Sequence, residues 1–354
     1  MNLATVLPPA ALRRSPAWTA GWLLAASLAA ALVLACSVGA VRVGAADWQA
    51  LLTGAERTGG AHVLWELRLP RALLAAAVGA ALGLAGALTQ GLFRNPLADP
   101  GLLGVTSGAV CAVAGVLTVF AASAAAVPAA WRIWVLPLSA FTGALAVCFA
   151  LERLARWLTP GSVTGLLLTG LALNAVAMAA VGLCTYLATD EQLRSLTFWT
   201  LGSLAGASWS VVGVLAAALA GALAVSRRLA PALNALALGE AVAAQVGVPM
   251  QALRHRLIGV VAVLSGLAVA WCGLIGFIGL MAPHFMRAAA GADHRAVLPL
   301  SMLCGALLLL LADTVARVVV VPAELPVGIL TALLGGPAFL LVLRGVAARQ
   351  GGHA

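Results

Sequence analysis

The sequence predicts an all-helical chain that crosses a membrane about ten times. Three observations predict it. Of the 354 residues, 63% are hydrophobic and only 9% are charged, whereas soluble domains carry about 25% charged residues. The apolar residues come in runs of about twenty, the length a helix needs to cross a hydrocarbon core. Short arginine-bearing connections separate the runs, with no Gly/Ser linker and no polar domain between them. The whole of 1–354 therefore reads as one membrane domain. Its net charge of +9 comes entirely from arginine and is scattered through the loops. That pattern fits topology control, and it argues against nucleic-acid binding.

The spans follow in order. Arg13 and Arg14 precede a first run over 17–41, too long for the core of a cleaved leader. Val33-Leu34-Ala35-Cys36 resembles a lipoprotein cleavage site, but the chain continues into further apolar runs and not into a polar domain. Residues 42–67 are mixed and are expected outside. The second run starts after Arg68 and Arg71, carries no charge from Ala72 to Phe93, and ends at Arg94. Gly79 and Gly83 on it form a small-xxx-small face for close helix packing. The loop Asn95–Gly101, NPLADPG, holds two prolines and predicts a rigid turn on the inner side.

Further spans are expected at about 102–122, 134–151, 163–187 and 209–225. A polar outer segment over 188–208 contains a short helix. Residues 226–256 form the longest polar inner segment. Spans over about 257–272, 273–287, 298–316 and 327–343 complete the set, with both termini inside. Thirteen of the twenty arginines then lie inside and seven outside, the expected bias. Several of the outer seven sit at helix mouths. Six cysteines lie singly in apolar runs, with neither metal-ligand nor redox spacing, and read as packing residues.

Three blocks carry a family resemblance. They are RLPR with GAALGLAGALTQGLFRNPLADPGLLGVTS (within 68–107), GLIGFIGLMAPHFMR (273–287) and LLLLADTVARVVVVPAELPVGILTALLGGPAFLLVL (308–343). In order and spacing they resemble the permease subunit of the bacterial ABC importers for iron chelates and vitamin B12. The resemblance implies a homodimeric permease of the inner membrane. It further implies a periplasmic binding protein docking outside and two copies of an ABC ATPase inside. No cofactor is expected on this chain. It has no GxxxxGK[ST] phosphate loop, so ATP and magnesium belong to the partner subunit and this chain is not itself an enzyme.

The resemblance also assigns residues. Arg68, Arg71 and Arg317 would receive acidic side chains of the binding protein. Read from the residues alone, they could equally be helix-end arginines that snorkel to headgroups. Leu238, Gly239, Glu240 and Gly247 fit the pattern of the coupling helices over 226–256, which would seat in the ATPase. Asp313 and Arg317, four apart on one helix, predict an ion pair that lowers the cost of a membrane carboxylate. The segment Thr189–Trp199 resembles the haem-importing members of the family. In it and beside it, Arg194 could meet a propionate and Tyr186 could stack on a flat macrocycle. A ferric siderophore and cobalamin remain alternative cargoes. An ion-driven carrier would need several intramembrane carboxylates or histidines, and an intramembrane protease a paired catalytic set. The sequence offers neither.

Overall fold

A computed structural model describes residues 16–39, 41, 43–53, 59–320 and 323–351. Arg13, Arg14, Arg42 and Arg57 lie outside the described residues. The apolar runs form helices because hydrocarbon offers the backbone no other hydrogen-bond partners. α1 (Pro16–Ser37) is followed by the short α2 (Ala45–Thr53) and α3 (Gly59–Val63). A π-helical turn, Leu64–Arg68, leads into α4 (Leu69–Phe93). A 3-10 turn, Pro100–Leu103, precedes α5 (Val105–Leu117), and the short α6 (Ala121–Ala126) precedes α7 (Ala129–Leu158). α8 (Val163–Leu187), the short α9 (Asp190–Thr200) and α10 (Trp209–Ala237) come next. α11 (Glu240–Gln245) bridges to α12 (Met250–Cys272). α13 (Ile278–Ala290), α14 (His294–Val318) and α15 (Val327–Gly351) end the chain.

Seven helices among the described residues are long and apolar enough to cross a membrane. They are α1, the continuous Gly59–Phe93, α7, α8, α10, α12 and α14. The expectation of about ten spans also counted α5, α13 and α15. α5 and α13 have 13 residues each, whereas α15 has 25. α5 and α13 are shorter than a full span, while α15 is long enough for one. The expected third span, 102–122, is correspondingly cut back to α5. The expected break at 225 is absent, because α10 runs on to Ala237. Leu229, Ala230, Leu233 and Leu236 keep one face of that extension buried, and packing of this kind carries the helix past Pro231.

α4 is the axis of the bundle, buried over almost its whole length. Its glycines set how closely the neighbours approach. A Cβ at Gly79 would overlap the carbonyl oxygen of Gly305, and one at Gly305 would overlap that of Gly79. A Cβ at Gly83 would overlap the carbonyl of Ser301. So α4 and α14 touch backbone to backbone along the face that Gly79 and Gly83 predict. Gly86 makes the same contact with Gly279 of α13. Such crossings gain dispersion contacts that lipid cannot match.

The turn after α4 is as rigid as its prolines suggest. Arg94 ends the helix in the left-handed conformation, at φ 48°. The Asn95 side chain accepts from Leu97 N at 2.9 Å, and Asp99 Oδ1 accepts from Gly101 N at 2.7 Å. The six cysteines are free, and all but Cys111 are buried, as packing residues should be.

Gly86→Ala should lower thermal stability in detergent by about 1–3 kcal/mol through overpacking. Gly221→Ala, where an added Cβ meets open space, should not. Equal melting temperatures for the two variants would contradict the close α4–α13 crossing.

Candidate functional site

The two ends of the α4–α14 pair carry the polar side chains. At the end expected outside, Asp313 of α14 is fully buried, at 0% exposure. Arg71 of α4 reaches it with Nη2 at 2.9 Å and Nε at 3.1 Å from Oδ1. Arg317, one turn along α14, places Nε 3.2 Å from Oδ2. The intrahelical pair expected from the sequence is thus present, but a second arginine from 242 residues earlier shares the carboxylate. A buried carboxylate is tolerable only when paired and hydrogen-bonded in this way.

Further nitrogens of these arginines are engaged as well, although Arg317 Nε makes no hydrogen bond among the described residues. Arg68, carried inward by the π-helical turn, donates to the carbonyls of Cys36, Ser37 and Val41. Arg317 donates to Ala35 O at 2.9 Å. Both therefore satisfy carbonyls at or just beyond the last turn of α1, which have no intrahelical partner and carry partial negative charge. Arg71 Nη1 donates to Glu324 Oε2 at 2.7 Å. Glu324 is itself half-exposed, and Arg71 keeps 12% of its side chain accessible. Arg68, Arg71, Arg317 and Glu324 together line a cleft of about 500 Å³. Of the arginines expected to dock a partner, Arg68 is buried and Arg71 and Arg317 are partly buried, and all three make internal bonds while lining this cleft.

At the inner end, Leu238 closes α10 and is 74% exposed. Gly239 and Gly247 flank α11 with φ of 122° and 84°, which L side chains rarely adopt. Glu240, partly exposed, takes two 2.8 Å hydrogen bonds from Arg254 Nη2 of α12. His255 Nδ1 lies 2.8 Å from the buried Glu152 of α7. These contacts hold α11 against α12, and α12 against α7. Exposed Leu238, Val242 and Val246 are left as an apolar patch at the tip. The segment expected to hold a coupling helix pair forms the end of α10 plus one short helix. The sequence reading missed Val242, Val246 and Arg254. The spacing of Leu238, Val242 and Val246 at every fourth residue was the available clue.

Tyr186, at the end of α8, is 86% exposed, and Arg194 on α9 is also exposed. Neither lines a described cavity, and the protomer brings neither to the arginine cleft. They lie on a surface that α8 continues with exposed Leu168, Leu171, Val176 and Leu183.

A helical bundle with an apolar waist and polar clusters at its two ends defines a polytopic membrane protein. The chain belongs to the FecCD transport family, which matches residues 27–345. It is 46% identical over 291 residues to the hemin transport system permease protein HmuU of Yersinia pestis, covering 82% of this chain and 86% of that protein. It is 39% identical over 325 residues to the vitamin B12 import system permease protein BtuC of Salmonella schwarzengrund, covering 91% and 94%. A solved structure of a metal-chelate type ABC transporter in an inward-facing conformation matches with a TM-score of 0.79 and 31% identity. It covers 92% of this chain and 99% of that one.

Asp313→Asn should destabilise the protein by about 3 kcal/mol, because it strands two buried guanidinium groups. Glu324→Gln, at the rim, should cost less than about 1 kcal/mol. Thermal unfolding in detergent measures both, and a harmless Asp313→Asn would contradict the shared-carboxylate arrangement.

Proposed function

We propose that this chain is the permease subunit of an ATP-driven importer of the inner membrane, carrying haem by alternating access. The observation that carries the cargo is the 46% identity to a hemin permease over 82% of the chain. The likeness to a vitamin B12 permease keeps cobalamin as a second reading, with a ferric siderophore beside it.

The two ends support the class of machine. The outer cleft offers guanidinium groups to an acidic partner, here a periplasmic binding protein. Arg71 and Arg317 are the accessible members, and Arg68 mainly holds α1. Glu324 already occupies Arg71 Nη1, where a partner's carboxylate would sit. The inner tip presents Leu238, Val242 and Val246 on and beside a short helix fixed by Gly239, Gly247 and the Glu240–Arg254 pair. A patch of that kind suits a groove in the ATPase subunit. ATP and magnesium would bind there, on that partner. The exposed apolar face of α8 is the surface a second copy would cover in a homodimer. Tyr186 and Arg194 would then border a path between the two copies, where haem is held weakly enough to leave.

Proteoliposomes containing this chain, its ATPase and its binding protein test the reading, with haem, a ferric siderophore or cobalamin supplied in turn. Haem alone should stimulate ATP hydrolysis and accumulate inside. Stimulation by cobalamin or the siderophore instead would refute the cargo, and failure of any ATPase subunit to associate would refute the class. In the same system Glu324→Gln should tighten binding-protein docking about two- to fivefold, an effect that shrinks with salt. Unchanged docking would remove Arg71 from the contact.

A further inference from the structure

Asn234 sits near the inner end of α10, one turn ahead of Leu238. Its side-chain amide faces the start of α14. Oδ1 accepts the backbone N–H of His294 at 2.9 Å and lies 2.8 Å from His294 Nδ1. Nδ2 donates to Asp293 Oδ1 at 2.7 Å. Asp293 is also the N-cap of α14, accepting from Arg295 N at 2.9 Å. The Asn234 amide and the Arg295 N–H together hold the Asp293 carboxyl below the usual range, so it is ionised at neutral pH. One amide on α10 therefore makes three polar contacts with the first residues of α14, where helix N–H groups lack intrahelical partners.

The junction extends to α4. The His294 ring is buried, and its Nε2 has no hydrogen-bond partner among the described residues. It lies against Gly91, where an added Cβ would stand 2.9 Å from it. Next to Gly91, Gln90 donates to Leu280 O at 3.1 Å and accepts from Arg287, both on α13. The inner ends of α4, α10, α13 and α14 thus meet at one polar knot beside the coupling segment. α14 has 25 residues, about 37 Å at 1.5 Å per residue. Its far end holds Asp313 and Arg317.

We propose that Asn234 is a positioning residue for transport, linking the coupling segment to α14 and, along that helix, to the outer arginine cleft. This rests on reading 226–256 as the segment that receives the ATPase. A lever needs a stiff joint, and three short contacts to a helix start supply one that apolar packing alone would leave free to slide. The residue touches neither cargo nor nucleotide and acts through α14.

The test compares ATP hydrolysis with and without binding protein in proteoliposomes of the assembled complex. Asn234→Asp brings a second carboxylate to about 2.7 Å from Asp293. Stimulation by binding protein should fall about fivefold or more, while the ATPase still co-purifies. Adding Asp293→Asn removes the like charges and should return most of the stimulation. Asn234→Leu, similar in size and without either polar group, should lose stimulation in a way that Asp293→Asn does not relieve. It serves as the independent variant should Asn234→Asp not fold. Normal stimulation in either single variant would overturn the proposal, as would a loss in Asn234→Asp that Asp293→Asn leaves unchanged. If the unmodified chain binds no ATPase, the reading of 226–256 fails instead, and the two failures are distinct.

Discussion

The backbone contact between α4 and α14 is the constraint on which the rest of the structure depends. Gly79, Gly83 and Gly305 allow it, and any side chain larger than hydrogen there would force the helices apart. Only at this separation can Arg71 on one helix reach Asp313 on the other with two nitrogens. The packing and the ion pair are mutually dependent. The glycines bring a buried carboxylate within range of its cation, and the pair fixes the register at which the glycines meet. The outer arginines are consequently structural first. Arg68 and Arg317 hold the end of α1, and the cleft they line with Arg71 and Glu324 inherits its shape from that work.

Much of this was legible in the sequence. The uncharged stretch from Ala72 to Phe93 read as a membrane-spanning helix, and Gly79 with Gly83 announced a close neighbour. The spacing of Asp313 and Arg317 forecast their ion pair. The turn over Asn95–Gly101 needed only its prolines and short polar side chains. These features depend on neighbours within a few residues, so the linear order carries them.

What was not legible depends on distance along the chain. Nothing local links Arg71 to Asp313, or Asn234 to His294. The burial of Arg68 is set by the end of α1 and by a π-helical turn, which periodicity does not encode. A break was expected near Ser226, where the polar segment over 226–256 begins. The buried leucines of the α10 extension, which pack against distant helices, outweigh those local signals. Tyr186 and Arg194 have the right chemistry for a flat anionic cargo, yet within one protomer they face outward, and a site there requires a second surface.

Taken together, the contacts describe α4 and α14 as one packed unit with a polar joint at each end, while α8 packs on α5 and α7 and not on that pair. Spin labels measure this directly, on a background with the six native cysteines replaced. One pair of labels, at Arg94 and Arg295, spans α4 and α14. A second pair, at Thr164 and Arg295, spans α8 and α14. Distances are compared in the assembled complex with and without ATP. The account predicts that the first distance stays within about 1–2 Å, the range of small shifts between packed helices, while the second changes by more. A first distance that changes as much as the second would contradict it.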